Sequence, residues 1–168
     1  TAMAAARAGS RVLVIDADLG RPALTRLMLR ALAPVRGLTD VVAKAIPLSR
    51  ATANFAVSDS VHLDVLGRGT QHVNFADFFH STGAGELLET ARADYDLVLI
   101  DAPPVLQEAY TSTLMGYADG VIVVVPHGSR TALLEEEVQR LGLIGTPAAG
   151  YVYNRAPLRS EAARYKSP

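Results

Sequence analysis

The sequence has no cysteine. That excludes a disulfide framework and any chemistry that needs a thiolate, and it is compatible with the cytosol. Charge of one sign is equally scarce. Sixteen Lys and Arg stand against 17 Asp and Glu, a formal net charge of -1. No basic excess is present to grip a nucleic-acid backbone, so nucleic acid is not an expected partner. No apolar run approaches the ~20 residues that span a bilayer. The alanine-rich start, Thr1 to Ala8, is too short and too weakly apolar for a signal peptide. There is no internal repeat and no low-complexity linker. What remains is 168 residues, 49% hydrophobic and 20% charged, which fits one globular domain with a sizeable core.

The most informative stretch is Arg11-Val12-Leu13-Val14-Ile15-Asp16-Ala17-Asp18-Leu19-Gly20-Arg21-Pro22. Four consecutive apolar residues suggest a strand buried on both faces, as in a parallel sheet. The run ends in two carboxylates, then a basic residue and a proline. Ligands of open α/β sheets collect at the carboxyl ends of strands, where Asp16 and Asp18 would sit. Carboxylates there suit Mg²⁺, which takes a few of them plus water and substrate phosphates. Asp96-Leu97-Val98-Leu99-Ile100-Asp101-Ala102-Pro103-Pro104 has the same form. Its prolines cannot continue a central strand, so Asp101 ends it. The competing reading is that these acids cap helices or turns. The pairing of a D-x-D with a D-x-P-P favours nucleotide and metal chemistry over that alternative.

Strands are expected at Val12–Ile15, Val61–Leu66, Leu97–Ile100, Val121–Val125 and Gly150–Tyr153. Helical patterns fall between them. Thr1 to Ala8 reads as a helix end closed by Gly9. Leu24, Leu27, Met28, Ala31 and Leu32 recur at helical spacing after Pro22, which suits a first turn. Val41, Val42 and Ala45 suit a short helix. Glu86 to Ala93 places Leu87, Leu88 and Ala91 on one face. Thr131 to Leu141 places Leu134, Val138 and Leu141 inside. This alternation predicts an α/β fold with a doubly wound, mostly parallel sheet. Gly67 to Gly85 reads as irregular, with Phe75, Phe78 and Phe79 anchoring it on the core. Tyr151 and Tyr153 are expected to pack in a strand. His62, His72, His80 and His127 lack ligand spacing.

The order of these pieces resembles the cytoplasmic ATPase domain of the bacterial tyrosine kinases of capsule and exopolysaccharide export. Those are P-loop proteins of the SIMIBI-like type, related to the partition and septum-site ATPases. VLVIDADLGRP is similar to their Walker A′ motif and LVLIDAPP to their Walker B motif. GLTDVV from Gly37 to Val42, VHLDVLG up to Gly67, and ADGVIVVV from Ala118 to Val125 follow the family order. The resemblance covers Thr1 to about Asn154, an ATPase/kinase-like domain, and leaves 155–168 as a flexible basic tail.

The resemblance implies ATP and Mg²⁺ as cofactors. Asp16 and Asp101 would organise the metal, Asp18 would orient or deprotonate the attacking hydroxyl, and Arg21 would lie near the phosphates. Asn154, with Arg155 beside it, would read the adenine. The implied function is a protein-tyrosine autokinase regulating polysaccharide assembly. It would work with a membrane co-polymerase, as a homo-oligomer, in the cytoplasm at the inner face of the plasma membrane. A positioning ATPase or a non-catalytic interaction module are the alternatives. The chain departs from the family pattern at four places. It has no G-x-x-x-x-G-K-[ST], the loop that cradles phosphates, so the domain reads as truncated at its N-terminus and as lacking the P-loop strand. Gly20 stands where the family has a basic residue, with Arg21 one place later. Tyr110-Thr111 replaces Asp-Ala. Tyr165 alone stands for the tail tyrosine cluster. The implied sheet places Val12–Ile15 between Val61–Leu66 and Leu97–Ile100. Without the P-loop strand, Leu97–Ile100 and Val121–Val125 would be either separated or closed together.

Overall fold

The computed structural model describes residues 1–29, 35–145 and 148–157. In chain order these form α1 (Ala2–Arg7), β1 (Val12–Asp16), α2 (Ala23–Leu29), α3 (Leu38–Val42), α4 (Leu48–Ala51), β2 (Ala53–Ser58) and β3 (Val61–Leu66). Then follow α5 (Phe75–Phe78), α6 (Thr82–Asp94), β4 (Leu97–Asp101), α7 (Tyr110–Met115), β5 (Val121–Pro126), α8 (Thr131–Ile144) and β6 (Ala148–Asn154). The chain divides into two compact units, Thr1–Tyr117 and the residues from Ala118 onward.

In the first unit the strands lie in the order β2-β3-β1-β4. Strand β1 pairs in parallel with β3 and β4, as the sequence predicts, and β2 joins β3 antiparallel at the edge. Every residue of β1 is buried. Alternate side chains serve two cores. Leu13 and Ile15 pack with Leu66, Phe79, Leu87 and Leu114 on one side. Val12 and Val14 pack with Ala6, Leu63 and Val65 on the other. Helices cover both faces, which is why the apolar run is continuous and not alternating. Strands β4 and β5 belong to different sheets.

Several elements depart from expectation. Strand β2 is not foreseen, because its inward residues, Ala53, Phe55 and Val57, form only a weak period-two pattern. Helices α4 and α7 are also additions. The supposedly irregular segment holds α5 and the start of α6, each with a side-chain cap. Asn74 accepts from Ala76 N at 3.2 Å and Ser81 from Ala84 N at 3.3 Å. Phe78 and Phe79 are buried, and Phe79 stacks on Tyr110 with ring centroids 5.5 Å apart. These rings do anchor the segment on the core. Helix α2 uses Leu24 and Met28 against the sheet but leaves Leu27 exposed. Ala31, Leu32 and Tyr165 lie outside the described residues.

The second unit is a parallel pair, β5 and β6, with α8. Helix α8 ends where Gly145 takes φ 76, a left-handed cap natural to glycine. Leu141 is buried as expected, but Val138 is 49% exposed. Tyr151 and Tyr153 lie in the strand yet are 57% and 58% exposed. The two strands and one helix described for this unit do not enclose these side chains.

The segment Gly37–Val42 joins the first unit's loops. Leu38 N and Thr39 N donate to Gly67 O and Arg68 O at 2.8 and 2.9 Å. The approach is so close that a Cβ on Gly37 would lie 2.1 Å from Gly67 O. Asp40 is buried there and accepts four bonds. They come from Gly37 N (2.9 Å), Thr70 N (2.9 Å), Thr70 Oγ1 (2.6 Å) and Gln71 Nε2 (3.2 Å). Burial pushes its pKa up, but the bonds from Thr70, Gly37 and Gln71 outweigh burial and hold it below the usual carboxylate value. Asp40→Ala leaves these donors unsatisfied and is expected to cost about 2–4 kcal/mol at pH 7. A depressed folded pKa contributes stability above the unfolded value that is lost as pH falls through the folded one. Urea titrations should therefore show the gap between wild type and variant narrowing as pH drops below 3.8.

Candidate functional site

Strands β1 and β4 run parallel and in register, so Asp16 and Asp101 are direct neighbours at the same end of the sheet. The hydrophobic pattern enforces this, since a one-residue slip would turn Leu13 and Ile15 onto the wrong face. Ala17 N then donates to Asp101 O at 2.8 Å, which extends the ladder one step past the acids. Both carboxylates thus stand at the ligand-collecting end of a parallel sheet.

Asp16 is fully buried. Its Oδ2 accepts from both Thr25 N and Thr25 Oγ1, each at 2.6 Å. Its Oδ1 is the buried side-chain atom without a hydrogen-bond partner among the described residues. The capping reading is therefore half right. One oxygen of Asp16 caps the first turn of α2, and the other is left over. Asp18 also serves a turn, accepting Arg21 N at Oδ1 at 2.8 Å. Its Oδ2 lies 3.9 Å from Arg21 Nε. The Arg21 side chain is 65% exposed, and its Nη2 donates to Gln107 Oε1 at 3.1 Å. That contact ties the D-x-D loop to the loop after β4.

Four residues that sequence reasoning did not place at this end complete it. Thr25 also accepts Arg68 N at 2.9 Å. Arg68 Nε donates to Leu19 O at 2.7 Å. Gln107 holds Arg21. Tyr110 donates to Ala17 O at 3.4 Å, and burial pushes its hydroxyl up to about 12. Only Thr25 had a legible signal. Pro22 marks the start of α2, which puts residue 25 where a first-turn N–H seeks an acceptor. Arg68, Gln107 and Tyr110 reach the site through tertiary folding alone.

Asp16, Asp18, Asp101 and Arg21 are thus brought together in the first unit. Asn154 and Arg155 belong to the second, at the end of β6. There Asn154 Oδ1 accepts Arg155 N at 2.8 Å, and Arg155 has φ 57. Among the described residues no three acidic or histidine side chains form a metal-holding group. The acids offer instead a pair with one free buried oxygen. That fits Mg²⁺, which takes one or two carboxylates and fills its shell with water and phosphate oxygens. A cleft of about 570 Å³ lies at the opposite ends of β1 and β3, between Ser10, Arg11, His62 and Tyr95, and holds none of these acids.

Partial burial, then the charges of Asp16 and Asp18, raise the pKa of Asp101 above the usual carboxylate value. A raised folded pKa makes stability highest below the unfolded value and lowers it as pH rises through the folded one. The side chain is open to solvent, so screening limits the effect to less than about 1 kcal/mol. Asp101→Asn is expected to raise the melting temperature slightly at pH 7 and to flatten the pH dependence just above 3.8. Calorimetric melting across pH 3 to 7 checks both. A loss of stability at pH 7 would contradict the repulsion.

Comparison with known proteins bears on the family and the fold. A family model for the AAA domain matches residues 1–134. The tyrosine-protein kinase YwqD of Bacillus subtilis is 37% identical over 123 residues, which cover 73% of this chain and 50% of that protein. The succinoglycan biosynthesis transport protein ExoP of Rhizobium meliloti is 26% identical over 164 residues, covering 95% of this chain and 20% of ExoP. The chain therefore spans half the length of one relative and a fifth of the other. Among solved structures, the VpsO kinase domain superposes with a TM-score of 0.84 at 27% identity, covering 93% of this chain and 75% of that one. The chain belongs to the AAA-domain family and is similar to bacterial tyrosine-protein kinases.

Proposed function

We propose that this chain is the metal- and nucleotide-handling part of a protein-tyrosine autokinase that regulates capsule or exopolysaccharide assembly. One observation carries the chemistry: Asp16 and Asp101 stand side by side, and Asp16 keeps a buried oxygen free. The biological setting is supported by relatives named for tyrosine kinase activity and for succinoglycan transport. In this reading Asp16 and Asp101 hold Mg²⁺, which when bound neutralises charge on the phosphates of ATP. Asp18 orients the attacking hydroxyl and takes its proton at Oδ2. Arg21, exposed and steered by Asp18 and Gln107, supplies positive charge toward the phosphates. Asn154 and Arg155 contact the adenine. Phosphoryl transfer needs positioning and charge neutralisation more than covalent help, so this set suffices once a phosphate cradle is present. The partner is a membrane co-polymerase at the inner face of the plasma membrane, and the active form is a homo-oligomer. No helix among the described residues is long and apolar enough to cross a membrane.

Two measurements test this reading. Calorimetric titration of the 168-residue chain with ATP-Mg²⁺ should show no tight binding, because it carries no phosphate-binding G-x-x-x-x-G-K-[ST]. Extending it at the N-terminus with a strand bearing that loop should produce binding. Tight binding by the chain alone would mean that the phosphates are held elsewhere.

In the extended chain, Asp18→Asn and Asp101→Asn are each expected to lower phosphoryl transfer by at least ~100-fold, since each removes a charge that acts on the transition state. Tyr165→Phe should only reduce autophosphorylation. Radiolabelled transfer mapped by mass spectrometry reads all three. Transfer that survives Asp101→Asn defeats the mechanism, and ATP turnover without phosphotyrosine points to a positioning ATPase.

A further inference from the structure

Asp16 Oδ2 receives two bonds of 2.6 Å, both from Thr25, one from its backbone N–H and one from its hydroxyl. Thr25 Oγ1 in turn accepts Arg68 N at 2.9 Å. Donating to Asp16 and accepting from the Arg68 N–H, that hydroxyl is fixed in rotation. Helix capping alone needs only the N–H bond. The second bond closes a two-point grip on a single oxygen, so the carboxylate cannot turn about its Cβ–Cγ axis. Oδ1 is therefore aimed in one direction, buried and without a partner among the described residues. A buried carboxylate oxygen left bare is costly unless something else binds it.

We propose that Thr25 is a positioning residue for Asp16. Its hydroxyl immobilises Oδ2 so that Oδ1 is presented, already oriented, to a divalent cation beside Asp101. The proposal rests on the metal-binding reading of these acids. Outer groups that orient a ligating carboxylate commonly tune metal affinity by ~10–100-fold. Thr25 takes no part in the chemistry itself, so its loss is felt in metal affinity before anything else. Serine keeps the hydroxyl and should substitute for it. Valine, of the same shape, should not.

The experiment uses the 168-residue chain and Mn²⁺ alone, free metal being read from its electron paramagnetic resonance signal. Saturable binding is expected in wild type and in Thr25→Ser, within about threefold of each other. Binding ~10-fold or more weaker is expected in Thr25→Val, and none in Asp16→Asn. Melting curves without metal run alongside, so that a merely structural role shows as lost stability with unchanged affinity. Equal affinity in wild type and Thr25→Val overturns the positioning role and leaves the metal reading standing. Absence of saturable binding in wild type overturns both. Should Thr25→Val fail to fold, Mg²⁺ titration of the wild type by amide NMR decides. The Thr25 N–H is expected to shift saturably with added Mg²⁺, and a Thr25 N–H that does not move refutes the proposal.

Discussion

Asp16 must be two things at once: the last residue of a fully buried strand and a carboxylate. Burying a charge that way is costly unless hydrogen bonds or a counter-ion compensate. Much of the first unit's ligand end is arranged around that demand. Thr25 supplies two bonds from the first turn of α2, which fixes where that helix begins. Arg68 N closes on the same threonine, which fixes where the chain goes after β3. Arg68 Nε then reaches Leu19 O and shapes the D-x-D loop. One acid thus ties together the ends of two strands, a helix start and a loop.

The second organising acid does the opposite job. Asp40 is buried with its full complement of donors, and nothing about it is left over. It requires a chain path that only glycine permits at two points. Gly37 lies against Gly67 O, and Gly69 sits at φ 96 with no room for a side chain beside Thr39 and Asp40. The contrast separates structure from function in physical terms. A saturated buried carboxylate holds the fold. One with a bare oxygen carries an unmet demand that the fold tolerates.

Much of this was legible from residues alone. The run Val12–Ile15 reads as a strand buried on both faces because no position is spared for polar side chains. Its ending in Asp16, and that of Leu97–Ile100 in Asp101, places both acids at one sheet edge once the strands are parallel. The less legible parts have a common cause. Strand β2 is diluted by alanine and asparagine, so its alternation is faint. Helices α4 and α5 have four residues each, too few for a period to show. Arg68, Gln107 and Tyr110 sit near the acids only because the chain returns there, and no local pattern encodes that return. Val138 and Tyr153 show the converse error, since apolar spacing foretells which face could be buried and not whether enough structure exists to cover it.

The site also shows why these acids are expensive to keep. Asp101 stands beside Asp16 and within reach of Asp18's charge; partial burial first, then these charges, hold its carboxyl above its usual pKa. Among the described residues no arginine is spent on neutralising it. Arg21 faces Asp18 and Gln107 from the solvent side, and Arg68 is turned to backbone carbonyls. A protein selected only for stability would replace Asp101 with a neutral residue at no packing cost, since its side chain is open to solvent. Uncompensated like charges of this kind mark places where affinity for a positive ligand outweighs stability of the empty fold. On the metal-binding reading proposed above, the repulsion and the bare oxygen of Asp16 have one explanation between them. Both would be relieved by the same cation, and neither is relieved by anything the described residues themselves provide.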